Sequence, residues 1–398
     1  MLHFVAKDPV RGRELKKHVP ESCAFEVDYA EFLDEALVDA WELQESWARN
    51  GEHETKAKEW WVVKPGMSDK GAGVKLFRSE EGLRRIFEGW EEDEDSDYED
   101  EDSDAETTET SEDPIIMTAN DTHNDANTAL ETPNPSSDGI ITSQLRHFLA
   151  QRYIAHPLLF PSLQNRKFHL RSYVLAVGAL RVYVFREMLA LFASVPYRAP
   201  GHDNAGEHRE GEGEGDDLDM RAHLTNTCLQ DPSSEDADSV VPFWDLPPTT
   251  SSSGQDWRTP TLAQITTLTS HLFLAAATTQ ALNFQTLPNA FEVFGVDWLV
   301  DERGKVWLLE VNAFPDFGMS GERGKGVMGR LWEGVLGVLV GEGSLLQGTL
   351  RRARDEMENN KGEENEAAGR GEPKNGGVEE GEESGGMIKV LDINLGRR

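Results

Sequence analysis

The chain has 398 residues, room for two or three domains of ordinary size, and carries 73 acidic against 39 basic side chains, a net charge of −34 with His neutral. A balance that acidic opposes nucleic acid or an anionic membrane as a partner of the whole chain, because long-range repulsion has to be overcome first. Two cysteines, Cys23 and Cys228, cannot make a disulfide framework and point to a reducing compartment.

The charge is concentrated. Residues 91–113 hold fifteen acids and no Lys or Arg, 201–220 eight acids and one Arg, and 351–386 eleven acids against six bases. Without those stretches (−15, −7 and −5) the remainder stands at −7, so the folded part is only mildly acidic. The N-terminal MLHFVAKDPVRGRELKK is charged where a signal peptide needs an apolar run. Val327–Val340 is interrupted by Arg330 and Glu333 and falls short of the ~20 apolar residues of a membrane span. The expectation is a soluble, cytoplasmic protein with no membrane partner.

In chain order, residues 25–50 read as a helix, with Phe32, Ala36, Leu37, Ala40 and Leu43 at helical spacing. WWVVK (60–64), PGMSDKGAG (65–73) and VKLF (74–77) read as strand, glycine turn and strand, followed by a short helix near Glu81–Trp90. Residues 91–138 cannot bury a core and are expected to be disordered. RKFHLRSYVLAV (166–177) and RVYVFREMLALFA (181–193) predict a hairpin, 259–282 a helix, FEVFGVDWLV and KVWLLEVN a second hairpin, and 326–341 a last helix. MIKVLDINL (387–395) returns to strand character after a polar tail. Hairpins mixed with helices predict an α+β fold with mostly antiparallel sheets.

Three constellations carry chemistry. With Arg303–Gly304 as a two-residue turn, Glu302 faces Lys305, Asp297 sits opposite Glu310, and Gly295 opposite Asn312. Asp297, Glu310 and Asn312 then share a face, because strand side chains alternate. Two close carboxylates repel, and a hard divalent cation such as Mg²⁺ resolves that conflict; the alternative is an amphipathic hairpin whose acids face water. In WWVVKPGMSDKGAG, Lys64 ends a strand, and Gly66, Gly71 and Gly73 with Lys70 suit a phosphate cradle or an ordinary turn. In RKFHLR, Lys167, His169 and Arg171 point one way, toward an anion or toward solvent. In HLTNTC, Thr225 and Asn226 offer a hydroxyl and an amide. A cation-lined strand, a glycine turn and a carboxylate hairpin together are the parts that phosphoryl transfer needs.

Taken together, WWVVKPGMSDKGAGVKLF, QRYI (151–154), RKFHLRSYVLAV, HLTNTCLQ and FGVDWLVDERGKVWLLEVN resemble the tubulin–tyrosine ligase family of the ATP-grasp superfamily. The resemblance implies an ATP-grasp fold with an incomplete N-terminal subdomain and disordered acidic insertions. Its divisions fall at 1–90, an acidic insertion 91–138, 139–200, flexible insertions 201–258 around 223–230, 259–345, a disordered tail 346–386 and a terminal strand 387–398. It implies ATP and Mg²⁺ as cofactors and a ligase in which a carboxylate attacks the γ-phosphate and an amine takes the acyl phosphate. Lys64, Gly71, Gly73, Lys167, Thr225 and Asn226 would contact the nucleotide. Gln151, Arg152, Tyr153 and Ile154 would present their backbone to adenine, Arg171 would neutralise the γ-phosphate or the substrate carboxylate, and Asp297, Glu310 and Asn312 would hold Mg²⁺. The implied partner is a protein with an acidic or C-terminal carboxylate, a tubulin tail among them.

Three features depart from the pattern. His169 stands where the family usually has Asp, which bears on a ribose contact. Leu191 falls where active members carry an arginine near the transferred phosphate. Only about sixty residues precede WWVVK, with Lys16 and Lys17 nearest to the first lysine of the family. KFHLR with MLALFA also resembles a fungal branch tied to cytoplasmic mRNA-decapping bodies (P-bodies). That branch implies a second class of function, an interaction module with a retained nucleotide fold and decapping proteins as partners. Ser96 and Ser103, each with an acid three residues on, are expected acidophilic kinase sites.

Overall fold

The computed structural model describes residues 1–52, 58–66, 71–99, 147–201, 218–225, 239–248, 256–317, 321–341 and 383–394. These fall into two units: Ser22–Gln151, and Met1–Glu21 together with the chain from Arg152 onward. The N-terminal segment is therefore part of the larger unit and not of a 1–90 block. It forms helices α1 (Leu2–Lys7) and α2 (Pro9–Lys17). Asp8 starts α2, accepting from the Arg11 amide at 3.1 Å, with Pro9 at the first helical position.

The smaller unit holds β1 (Ser22–Glu26), α3 (Leu33–Ala36), α4 (Trp41–Glu52), β2 (Trp61–Pro65), β3 (Lys75–Phe77), α5 (Glu80–Glu99) and β4 (His147–Arg152), with sheet order β1-β4-β2-β3. Its core joins Phe25, Leu33, Leu43, Trp61, Val63, Phe77, Phe87, Trp90 and Phe148. Residues 25–50 are not one helix. Phe25 pairs with Phe148 in the β1–β4 ladder and leaves its side chain in the core, so tertiary pairing overrides the local period. The disorder expected from residue 91 also begins too early, since α5 continues to Glu99. Leu83, Phe87 and Trp90 anchor this helix on the core, and a helix already nucleated extends cheaply. Residues 100–138 lie outside the described residues, as do Lys70, Ser103, Asn226 and Cys228.

The larger unit is a twisted sheet between helices. Its strands are β5 (Arg166–Val177), β6 (Arg181–Phe185), β7 (Leu189–Pro196), β8 (Val240–Pro242), β9 (Phe291–Val300), β10 (Val306–Asn312), β11 (Glu383–Ser384) and β12 (Met387–Asp392). The order is β10-β9-β5-β6-β12-β11, with β7 pairing β5 and β8. The predicted run 181–193 is interrupted at Arg186–Met188: β6 pairs the second half of β5 and β7 the first half. The terminal strand does return to the sheet, as β12 beside β6.

Alternation along β5 divides the two faces. Phe168, Leu170, Val174 and Ala176 join α1, α2 and helix α6 (Arg258–Thr279) in one core. Tyr173, Leu175 and Val177 meet Val327, Leu331, Val335 and Val338 of α7 (Gly321–Gly341) in another. Lys167, His169 and Arg171 have the parity of the α7 face. Lys16 and Lys17 are exposed on α2, which packs on the opposite face. Among the described residues, no helix is long and apolar enough to cross a membrane.

Candidate functional site

The polar end of the α7 face is built on the β9–β10 hairpin, and its register departs from the one expected. Val306 pairs with Val300, Trp307 with Leu299 and Leu308 with Trp298, and then Glu310 pairs with Asp297 and Asn312 with Gly295. The turn therefore spans Glu302–Gly304. Asp301 pairs with Lys305 through its amide (3.0 Å), the Gly304 amide donates to Asp301 O at 2.9 Å, and Gly304 has φ +78°. That is a three-residue loop ending in a left-handed glycine, not a two-residue turn, and Glu302 does not face Lys305.

The extra residue is absorbed by a bulge between Leu308 and Glu310. Val306 and Leu308 lie on the α6 side with Val296, Trp298 and Val300. An unbroken ladder would send Glu310 and Asn312 to that apolar face, and the bulge re-aims them toward Asp297. The site pairs thus stand as the sequence predicts, for a reason that the sequence does not show.

Asp297 is 3% exposed. Arg171 holds it with two parallel hydrogen bonds, Nε to Oδ1 and Nη2 to Oδ2, the second at 2.8 Å. Burial works against the charge of Arg171, but the Asp297 carboxylate outweighs it and holds the guanidinium above its ordinary value. Gly295 makes the arrangement possible. A Cβ there would come within 2.9 Å of Pro315 Cβ and 3.1 Å of Arg171 Cδ, so a side chain would push the arginine stem off β9. Beside them Tyr173 is buried, which pushes its phenol up to about 12, with Arg171 opposing and Asp297 and Asp316 reinforcing.

Asn312 Nδ2 lies 3.4 Å from Asp297 Oδ2 and 3.2 Å from Glu310 Oε1. The amide nitrogen thus marks a point that both carboxylates face, and turning the amide would bring its oxygen there. An all-oxygen set of this kind fits a hard divalent cation. Among the described residues, no group of three or more His, Cys, Asp or Glu is arranged to hold a metal. A cation at this point would therefore complete its shell with water or phosphate oxygens, as Mg²⁺ does.

His169 and Lys167 are buried rather than solvated, which removes the reading of RKFHLR as a wet basic face. His169 Nδ1 is 2.6 Å from Thr225 Oγ1, and its Nε2 is 3.6 Å from Asp297 Oδ1. Leu191 pairs with His169 across β5–β7 and packs against the α7 core. Lys167 donates to the Tyr153 hydroxyl at 3.0 Å, which also meets His223 Nδ1 at 2.8 Å. The sequence pattern does not indicate two of these contacts. For Tyr153 it points to the backbone alone. His223 opens the HLTNTC motif but closes the turn Met220–Ala222, so no strand alternation in the sequence points to it.

The smaller unit holds its own set. Lys64 Nζ donates to Gln151 Oε1 at 2.9 Å, on neighbouring strands β2 and β4. Gly71 and Gly73 have φ of +82° and +68°, conformations that only glycine adopts without strain. Gly66 approaches His147 so closely that a Cβ would stand 2.9 Å from its carbonyl oxygen. Arg152 pairs with Glu21 at 3.5 Å, and the side chain of Ile154 makes no contact that assigns it a role.

Comparison with known proteins agrees with the sequence pattern. Residues 2–344 match the model of the Tubulin-tyrosine ligase family. The chain is 39% identical over 330 residues to the probable tubulin–tyrosine ligase PBY1 of Saccharomyces cerevisiae, covering 83% of this chain and 39% of that protein. It is 38% identical over 336 residues to the probable tubulin–tyrosine ligase C12B10.04 of Schizosaccharomyces pombe, covering 84% and 71%. A solved structure of the C-terminal domain of K. lactis Pby1, described as an ATP-grasp enzyme interacting with the mRNA decapping enzyme Dcp2, is 31% identical. It covers 84% of this chain and 70% of that one, with a TM-score of 0.48. The chain thus spans well under half the length of the budding-yeast relative. With the family model matched over most of the sequence, the chain belongs to the tubulin–tyrosine ligase family.

Proposed function

We propose that this chain is an ATP- and Mg²⁺-dependent carboxylate–amine ligase that adds an amino acid to a protein carboxylate. The observation that carries the reading is the convergence of Asp297, Glu310 and Asn312 beside Arg171. The bulge sets Glu310 and Asn312 beside Asp297, which is buried, whereas in an amphipathic hairpin whose acids merely face water Asp297 would be exposed. Bound there, Mg²⁺ would supply charge neutralisation to the phosphates. Arg171 is fixed by Asp297, so its cation is pre-oriented and needs no rearrangement as negative charge develops. Lys64, Gly71, Gly73, Gln151, Arg152, Tyr153, Ile154, Lys167, Thr225 and Asn226 are proposed as the nucleotide-binding residues. In the reaction, an acceptor carboxylate takes the γ-phosphoryl group from ATP, and an amine displaces phosphate to form the amide. Positioning and charge neutralisation supply most of the catalysis.

A second reading has its own support: a weakened relative serving as an interaction module in cytoplasmic mRNA-decay assemblies. Leu191, packed on the α7 core opposite His169, supplies no cation at a position where the ligase resemblance implies one. The K. lactis relative is described as interacting with a decapping enzyme. Calorimetry with Mg-ATP on the purified chain and on Glu310→Ala separates the readings. Binding that Glu310→Ala abolishes, with ATP turnover stimulated by an acidic tail peptide plus an amino acid, supports the ligase. Absence of binding by a folded chain removes it, and capture of decapping proteins by Glu310→Ala then favours the module.

A further inference from the structure

Lys167 is charged and only 8% exposed, so its surroundings must hold the charge in place. Its Nζ is 3.0 Å from the Tyr153 hydroxyl and 4.3 Å from the centre of the same ring, a hydrogen bond and a cation–π contact with one side chain. An ammonium only donates, so the Tyr153 oxygen accepts. The single phenolic proton then faces His223 Nδ1 at 2.8 Å, with the Tyr197 hydroxyl as its other side-chain neighbour. With that proton directed at His223, the imidazole is the neutral tautomer that carries its own proton on Nε2.

The surroundings agree with that assignment. Burial, and then the charge of Lys167, push His223 down to about 4, with Asp219 opposing. The Tyr153 and Tyr197 rings pack edge-on against the imidazole, each with centroids 5.6 Å away. The Tyr197 hydroxyl donates to Ala155 O at 2.7 Å. Three separate segments therefore meet around one lysine: the residues after β4, strand β5, and the turn ending at His223.

We propose that Tyr153 and His223 are positioning residues for Lys167, a directional relay that fixes the ammonium against which a polyphosphate binds. A lysine stem is rich in rotamers, and a group ordered beforehand loses less freedom on binding. The proposal rests on the Mg-ATP reading above.

The test is calorimetric titration of Mg-ATP into the full chain at neutral pH, with thermal midpoints confirming that each variant folds. Tyr153→Phe keeps the ring and removes the relay, and His223→Leu removes its acceptor. Each should weaken binding about tenfold, the scale of one hydrogen bond to a charged group. The double variant should be no weaker than either single one, because both break the same link. His223→Asn, which offers an amide oxygen near the Nδ1 position, should restore the affinity. If Lys167→Ala loses binding while Tyr153→Phe and His223→Leu bind like the wild type, the relay is overturned and the nucleotide reading stands. Losses that multiply in the double variant, or no rescue by His223→Asn, overturn it equally. A folded wild-type chain that does not bind Mg-ATP removes both.

Discussion

Replacing Asp297 with Asn keeps the shape of the side chain and deletes the charge that faces Arg171. Asp297 is buried and Arg171 mostly so, with side-chain exposures of 5% and 16%, so bulk water screens the pair poorly. The charge centres of a bidentate pair lie about 4 Å apart, and at an effective dielectric of about 20 their attraction is about 4 kcal/mol. Removing one partner of a buried pair typically costs about 3–5 kcal/mol, because the other charge is left uncompensated. Asp297→Asn should therefore lower the urea-unfolding free energy by about 3–5 kcal/mol at neutral pH. The double replacement Arg171→Met with Asp297→Leu should recover most of that loss, because burying two apolar groups of similar volume is often neutral or better. A single variant within about 1 kcal/mol of wild type would show that the pair behaves like a surface ion pair, and the account of a pre-oriented Arg171 would fail with it.

Other expectations follow from the same geometry. Gly295→Ala places a methyl 2.9 Å from Pro315 Cβ and 3.1 Å from Arg171 Cδ, and overpacking of that kind should cost about 1–3 kcal/mol; a change in the urea midpoint too small to resolve would contradict it. Deleting Leu309 leaves Leu308–Trp298 and Glu310–Asp297 as successive pairs of a regular ladder, so it should be tolerated. Loss of the cooperative melting transition in that variant would refute the bulge argument. Ser172→Ala removes the partner of Trp298 Nε1, now 2.9 Å away, and should cost about 1–3 kcal/mol by the same measurement. His223 is held at about 4 by burial and Lys167, below its unfolded value of about 6.5. A depressed folded value means that its contribution is intact above about pH 6.5 and is lost as pH falls toward 4, by about 3 kcal/mol in all. His223→Asn should flatten that part of the stability profile, and an unchanged profile would show that His223 is not neutral in the fold.

Much of the fold was legible because its signals are local. The β-rich runs at 166–177, 291–300 and 387–392 became strands, and 258–279 became a helix, each from periodicity and composition that the tertiary structure does not contest. The failures lie where a distant partner decides. Phe25 follows a helical pattern with its successors but pairs with Phe148, more than a hundred residues away. No local rule foretells that β6 and β7 share β5 as two short partners. The placement of residues 1–21 on the α6 face of the larger unit is likewise a long-range fact.

The candidate site shows why correct pairs can come from a wrong register. Two-residue and three-residue turns differ by one residue of slip, and in a sheet one residue exchanges the faces. Arg303–Gly304 reads equally well as the whole of a two-residue turn or as the end of a three-residue loop; the Gly304 φ of +78° suits both. What decides is the apolar set. Val306 and Leu308 have to join Val296, Trp298 and Val300, since a one-residue shift would turn them away from that core and bring Trp307 to it instead. Glu310 and Asn312 cannot follow into that core without their carboxylate and amide losing water. A ladder obliged to satisfy both halves of β10 has to break between them, and Leu309, midway, is the residue that takes up the slack. The functional face is therefore specified twice: by the polar residues at 310 and 312, and by the hydrophobic residues at 306 and 308, which force the bulge that turns them toward Asp297.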